Sequence, residues 1–364
     1  MLVTALYNIV DQIFIGQGIG MLGNAATNIA FPLSTTCTAI SLLLGIGCAT
    51  NYSLHLGAGE KKESEKYAGN GIILMTIMGI LLFLITTIFL TPLLKFFGAT
   101  PDVLPYAEAY TRITAIGFPF LIANTGMSKL ILADGSPNYS MTSMLIGAIV
   151  NTILDPVFIF VFKMGMTGAA LATFLGLLLS FVMGVVYFVT HPNFLHFTFH
   201  GLSIKEAFHS MVNGTSEFVN QLAIAITTVV FNRSALLFAG EDGVAAVSII
   251  MYLQFLCIGI YFGFSMGLST PLGYAYGDRN FSVCRVLEKY AYRFFAIAPI
   301  ILYGCTYLLT PIGVRFFASP GSTVFDMAVS GLRLYGLGFL FSGINIFAAI
   351  RMMKYGKGYI SGMI

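Results

Sequence analysis

Charge is what this 364-residue chain has least of. Lys and Arg number 18 and Asp and Glu 15, together 9% of the residues, whereas a soluble domain is about one quarter charged. A soluble enzyme is therefore excluded. A net charge of +3 is too small and too dispersed for nucleic-acid binding, and no Lys/Arg-rich stretch is interleaved with stacking aromatics. Cysteine is also scarce. Cys37, Cys48, Cys257, Cys284 and Cys305 are odd in number and widely spaced, which offers neither a disulfide framework nor a CxxC metal site. The apolar N-terminal stretch lacks a basic leader and carries Asp11, against a cleaved signal peptide. Strand-like alternation is missing from stretches such as Ile72 to Leu90 and Leu171 to Val189, so a membrane β-barrel is excluded as well.

What the chain has instead is 57% hydrophobic residues, gathered in blocks of about 20 to 30 bounded by Gly, Pro and short charged clusters. An α-helix needs about 20 residues to cross the bilayer core. The pattern predicts an all-α polytopic membrane protein, with helices over about 1–17, 25–56, 67–97, 103–133, 138–162, 167–190, 205–238, 243–275, 283–317 and 323–355, and the start of another at the end. Alternate loops carry most of the basic residues: Lys61, Lys62 and Lys66; Lys129 near its end; Lys205; Arg279, Arg285 and Lys289; Arg351, Lys354 and Lys357. That side is cytoplasmic by the positive-inside rule.

The halves repeat at a period of about 220 residues. Gly23-x-Ala25-Ala26 matches Gly243-x-Ala245-Ala246, and Gly59-Glu60-Lys61 matches Gly277-Asp278-Arg279. Thr91-Pro92 with Phe96-Phe97 matches Thr310-Pro311 with Phe316-Phe317, and Arg112, Gly117-Phe118 and Asn124 match Arg333, Gly338-Phe339 and Asn345. An even number of spans per unit keeps both copies in one orientation, as in parallel-repeat transporters. The expected architecture is two repeated six-helix lobes with about ten to eleven helices present. Residues 1–190 form the N-terminal lobe, 191–204 a cytoplasmic inter-lobe loop, and 205–364 an incomplete C-terminal lobe. Against the repeat, the chain reads as truncated at both ends.

Ionisable groups inside a bilayer cost about 2.5–3.5 kcal/mol on insertion scales, so those that persist there are functional candidates. Asp11, Asp155 and Glu217 qualify. Counting about 1.5 Å per residue from the outer helix ends puts Asp11, Asp155 and Thr173 at one depth, roughly 8–12 Å below the outer surface. Asn151, four residues before Asp155, shares its helical face. Pro156 lacks an N–H and leaves the Thr152 carbonyl free to act as a further oxygen ligand. No Lys or Arg of this half stands at that depth on the same helices, so the two acids should bind H⁺, or Na⁺ through oxygens. The alternative is that they are satisfied buried groups or helix-end residues reaching water. Glu217, near the midplane, is either a second cation or substrate contact or a polar residue bonded to Asn213 or Asn220. Arg112 and Arg333 read as structural, bonding to loop carbonyls. His191, His196 and His200 read as interfacial packing rather than metal ligands, and Gly16-x-Gly18-x-Gly20 as a turn. The 17 Met, 33 Phe and 18 Tyr suit core or lipid contact, or adaptable surfaces for lipophilic cations.

Tyr7-Asn8-Ile9-Val10-Asp11-x-x-Phe14-x-Gly16, Asn151-x-x-Leu154-Asp155-Pro156-x-Phe158-Ile159-Phe160 and Gly168-Ala169-Ala170-x-Ala172-Thr173 resemble the multidrug and toxin extrusion (MATE) transporters, in their bacterial branches. The resemblance runs over essentially the whole chain. It implies a cation site at Asp11, Asn151, Asp155 and Thr173, coupling by Glu217 in some members, and export of cationic lipophilic drugs in exchange for H⁺ or Na⁺. No cofactor is implied beyond that coupling ion. The implied partners are membrane lipids and small cationic or amphipathic substrates, with no nucleic acid and no obligate protein partner, and the implied location is a bacterial cytoplasmic membrane. The competing readings are a flippase or exporter of lipid-linked or endogenous compounds, for which only Arg112, Arg233 and Arg333 are available as phosphate contacts, and an intramembrane enzyme. The latter would need a Ser/His pairing within spans or a DDxxD cluster, and neither is found. A non-functional truncated product is the remaining alternative.

Overall fold

The computed structural model describes residues 2–190, 203–315 and 317–363. The inter-lobe loop with His191, His196 and His200 and the motif residue Phe316 lie outside the described residues, as do the side chains of Tyr7 to Ile9 and of Ala245. Every regular element described is helical, as it must be in hydrocarbon, where each backbone N–H and C=O needs a partner within its own segment. The helices are α1 (Leu2–Gly18), α2 (Met21–Gly57), α3 (Lys61–Ile88), α4 (Leu90–Phe96), α5 (Leu104–Ile116), α6 (Phe118–Ala133), α7 (Pro137–Pro156), α8 (Gly165–Thr190), α9 (Ile204–Gly277), α10 (Phe281–Arg315), α11 (Thr323–Tyr335), α12 (Phe339–Lys354) and α13 (Gly358–Ser361).

Among the described residues seven helical segments are each long and apolar enough to cross a membrane, and α5 with α6 makes an eighth. The stretches 2–17 and 205–238 are helical too, in α1 and the first part of α9. Breaks fall where local chemistry demands them. α5 and α6 meet at 51°, at Gly117 with Pro119 in the next turn. α9 is two helices joined at Gly240, whose φ of 62° and ψ of −151° are open only to glycine.

The chain divides into two compact units, Met1–Phe218 and Val219–Ile364. The first therefore reaches past the loop expected to part the lobes and takes in the start of α9. Its core has three levels: Ile15, Ala26, Leu94 and Ala107 at one end, Cys37, Leu44, Met75 and Phe118 in the middle, and Tyr52, Met127, Leu130 and Tyr187 at the other. Small residues set the helix spacing, as is usual where lipid is the solvent. A Cβ on Gly45 would stand 2.7 Å from the Gly126 Cα, and one on Gly47 would stand 1.8 Å from the Ser210 carbonyl oxygen. One on Gly214 would stand 1.7 Å from the Leu43 carbonyl oxygen, so α6 and α9 both lie backbone-to-backbone on α2.

At the α6–α7 turn, Asp134 accepts hydrogen bonds from Tyr52 and Tyr187, each at 2.6 Å. The second unit packs around Tyr261, Phe295, Phe339 and Phe347. Its Glu288 pairs with Arg351 at 2.5 Å and accepts the Tyr355 hydroxyl.

The repeat is visible in the turns. After α2 the N–H groups of Ala58, Gly59 and Glu60 bond to the carbonyls of Leu54, Leu56 and His55. After α9 those of Asp278, Arg279 and Asn280 bond to Tyr274, Tyr276 and Ala275 in the same pattern, the Schellman ending in which the residue past the helix is left-handed. Gly59 (φ 79°) therefore corresponds to Arg279 (φ 57°), two residues away from the Gly59–Gly277 match read in the sequence. The turns after α6 and α12 form a second such pair, with Gly135 and Gly356 left-handed.

Candidate functional site

Asp11, Asn151, Asp155 and Thr173 come together in the first unit. α1 carries the first, α7 the next two and α8 the last. Close helix approach puts them there. A Cβ on Gly147 would stand 1.9 Å from the Ser180 hydroxyl oxygen, and one on Gly176 would stand 2.7 Å from the Gly147 carbonyl oxygen and 3.1 Å from the Asn151 Cβ. Only glycine at these positions lets α7 and α8 touch one turn from Asn151. The Ser180 hydroxyl seals the contact by donating to the Ser143 carbonyl at 3.0 Å.

α1 is held by its own glycine. A Cβ on Gly18 would stand 2.2 Å from a methyl of Ile159, and Phe14 meets Phe160 edge-to-face at 6.3 Å. Ile159 and Phe160 belong to a π-helical turn, Val157–Val161, that begins directly after Pro156. Proline cannot continue the α-helical ladder, and such wide turns cluster at functional sites. The Val157 N–H goes to the Leu154 carbonyl.

The site is dry. Asp155 is 0% exposed, Asn151 3% and Asp11 7%. The Asn151 amide donates to Asp155 Oδ1 at 3.5 Å and to Thr173 Oγ1 at 3.4 Å, and the Asp11 and Asp155 carboxyls are within side-chain hydrogen-bonding reach of one another. Two carboxyls bond directly only with a proton between them. Asp11 Oδ1, Asn151 Oδ1 and Asp155 Oδ2 are buried acceptors without a hydrogen-bond donor among the described residues. An unsatisfied buried acceptor costs about 1–3 kcal/mol, and three in one place are what a small cation would satisfy. No ion pair among the described residues involves either acid. The donor set is all oxygen, which suits H⁺ or a hard cation, and no group of three His, Cys, Asp or Glu able to hold a transition metal occurs among the described residues.

Glu217 is buried at 9% exposure on α9. Asn213, one turn earlier, donates to Asn51 Oδ1 at 2.7 Å. Glu217 and Lys129 of α6 interact electrostatically, a relation the sequence did not disclose. Lys129 stands inside α6, three residues after the Gly126 contact. Arg333 donates to the Tyr307 carbonyl at 3.3 Å and stacks on its ring at 4.5 Å, a backbone carbonyl as expected but within a helix. Its repeat mate Arg112 is exposed.

Comparison with known proteins agrees with this architecture. The family model MatE matches residues 1–157 and 217–363. The multidrug export protein MepA of Staphylococcus saprophyticus is 25% identical over 354 residues, covering 94% of this chain and 77% of that protein. The probable multidrug resistance protein YpnP of Bacillus subtilis is 32% identical over 190 residues, 51% of this chain and 42% of its own. Among solved structures, an outward-facing multidrug resistance MATE family transporter of the MOP superfamily superposes with a TM-score of 0.91 at 24% identity, over 100% of this chain and 81% of that one. A MATE in the bent conformation superposes equally well, at 0.91 with 23% identity, over 99% and 80%. With its apolar helices, its repeated turns and a family match over most of its length, this multi-pass membrane protein belongs to the MatE family.

Proposed function

We propose that the chain is a secondary antiporter of a bacterial cytoplasmic membrane that exports lipophilic organic cations in exchange for H⁺ or Na⁺ taken up at Asp11, Asn151, Asp155 and Thr173. The observation that carries this reading is the convergence of three unsatisfied buried oxygens from two helices at one dry place. The names of the relatives, multidrug export and multidrug resistance proteins, support drug-like compounds as the cargo.

The mechanism is electrostatic. With both carboxyls charged, closure of α1 on α7 and α8 would bring two like charges into a dry pocket. A bound proton or sodium ion removes that opposition and favours the packed arrangement. A charge left uncompensated within the bilayer costs about 2.5–3.5 kcal/mol, so one ion shifts such an equilibrium on the order of a hundredfold. Export follows if the organic cation binds the two states unequally, since a ligand shifts an equilibrium only by its differential affinity.

The test is efflux from vesicles under separately imposed proton and sodium gradients. The full chain should lose gradient-driven export of a lipophilic cation in Asp11→Asn and in Asp155→Asn. Export retained in both would end the proposal.

A further inference from the structure

α10 is longer than the bilayer core is thick. It has 35 residues, and from Phe294 to Val314 it carries no charged residue, a stretch of about 31 Å at 1.5 Å per residue. That stretch by itself fills the hydrocarbon. Phe281 to Arg293 therefore stand in the headgroup layer and beyond it, at the end that the basic residues mark as cytoplasmic. Arg285, Lys289 and Arg293 follow one another there at four-residue intervals, about 12 Å in all, and all three are exposed. The buried side of this part of α10 is the other one, carrying Cys284, Ala291 and Phe295. The neighbouring acid is engaged elsewhere: Glu288 pairs with Arg351 at 2.5 Å and accepts the Tyr355 hydroxyl. Neither Lys289 nor Arg293 forms an ion pair among the described residues. Beside the cations Tyr290 is 60% exposed, and one to two turns further into the hydrocarbon, on the same side, Ile297 and Ile300 are 60% and 67% exposed. The fold does not require this strip. With Gly59 corresponding to Arg279, the matching residues of α3 are Glu65, Gly69 and Ile73, none of them a cation.

We propose that Arg285, Lys289 and Arg293 bind the headgroup of an anionic phospholipid, whose acyl chains lie along Ile297 and Ile300. Charge and place together select this occupant. Guanidinium and ammonium groups at phosphate depth match a phosphodiester, which arginine can hold through paired hydrogen bonds. The apolar flank that continues from Arg293 into the hydrocarbon suits a ligand with acyl chains, and a free phosphate has none. Tyr290 adds an aromatic ring at the interface, where such amphipathic rings settle. The inference is independent of the antiport reading and needs only that α10 crosses the membrane.

The experiment is binding of acyl-labelled phosphatidylglycerol to the full chain in neutral detergent, read by fluorescence anisotropy, with labelled phosphatidylcholine as the zwitterionic reference. The unsubstituted protein should prefer phosphatidylglycerol. Lys289→Gln should weaken that binding about fivefold, the worth of one basic residue near a charged bilayer surface, and Arg285→Gln/Lys289→Gln/Arg293→Gln should abolish the preference. Lys62→Gln/Arg279→Gln/Lys357→Gln removes three exposed cations that lie off the strip and should leave the preference in place, and an excess of inorganic phosphate should not displace the lipid. Equal binding of the two lipids by the unsubstituted protein overturns the proposal, as does a preference that survives loss of the strip. Equal losses in the two triple variants would mean general attraction to a basic surface, and displacement by inorganic phosphate would mean a phosphate site, and either result also overturns it.

Discussion

At Arg279 the backbone is left-handed, with φ 57°, and the residue carries a side chain that crowds the following carbonyl there. Its counterpart Gly59 (φ 79°) meets the same geometry without a Cβ, and nothing stands within 4 Å of where one would be built. The two positions therefore differ in backbone strain rather than in packing. Left-handed conformation costs a non-glycine residue about 1–2 kcal/mol. Arg279→Gly should raise stability by about 1 kcal/mol and Gly59→Ala should lower it by a similar amount, read as opposite shifts of the thermal unfolding midpoint in detergent. A shift in the same direction for both would show that side-chain contacts, not φ, decide these turns. The Gly-acid-basic pattern was visible in the sequence at both turns, but its alignment was off by two residues. Residue identity marked the turn, while only the hydrogen-bond pattern showed which residue occupies the strained position.

At the scale of elements, the ion site depends on how closely α7 and α8 approach. Gly176 touches the Gly147 carbonyl and the Asn151 Cβ side, so Gly176→Ala must push α8 outward by several tenths of an ångström. Thr173, on the same helix, then moves away from the Asn151 amide, which it now meets at 3.4 Å. Weakening one ligand contact of about 1 kcal/mol predicts a roughly fivefold loss of coupling-ion affinity, with both carboxyls untouched. The checking measurement is the sodium or proton concentration that half-saturates efflux. An unchanged value would mean that Thr173 is not a ligand. Asn151 and Asp155 were legible as a pair because a spacing of four residues fixes a shared helical face whatever surrounds it. The π turn after Pro156 was not. A proline breaks the ladder, but whether the chain kinks, ends or widens depends on what packs against it, here Phe14 and Gly18 of α1.

For the whole molecule, a parallel repeat, as expected from the sequence, would fix sidedness. The turns at Gly59 and Arg279 share one hydrogen-bond pattern and close helices of equivalent rank, so both should face the cytoplasm and Lys163 the outside. With exposed Cys305 replaced by Ser, Lys62→Cys and Asp278→Cys should be labelled by an impermeant maleimide only from the cytoplasmic side, and Lys163→Cys only from the outer side. Labelling of Lys62→Cys and Asp278→Cys from opposite sides would make the repeat inverted and refute the topology.

Composition alone determined that the chain is a bundle of membrane helices, because a backbone in hydrocarbon has no other economical way to satisfy its polar groups. It also singled out Asp11, Asp155 and Glu217, because acids are expensive in such helices and so are conspicuous. Counting residues from the helix ends gave an expected depth for Asp11 and Asp155. What no count along one helix could give was the azimuth of each helix about its own axis and its distance from its neighbours. Those are set by contacts between residues far apart in the chain, Gly18 on Ile159, Gly176 on Gly147 and Gly214 on Leu43. Only these contacts decided that two acids from separate helices come together at one buried place.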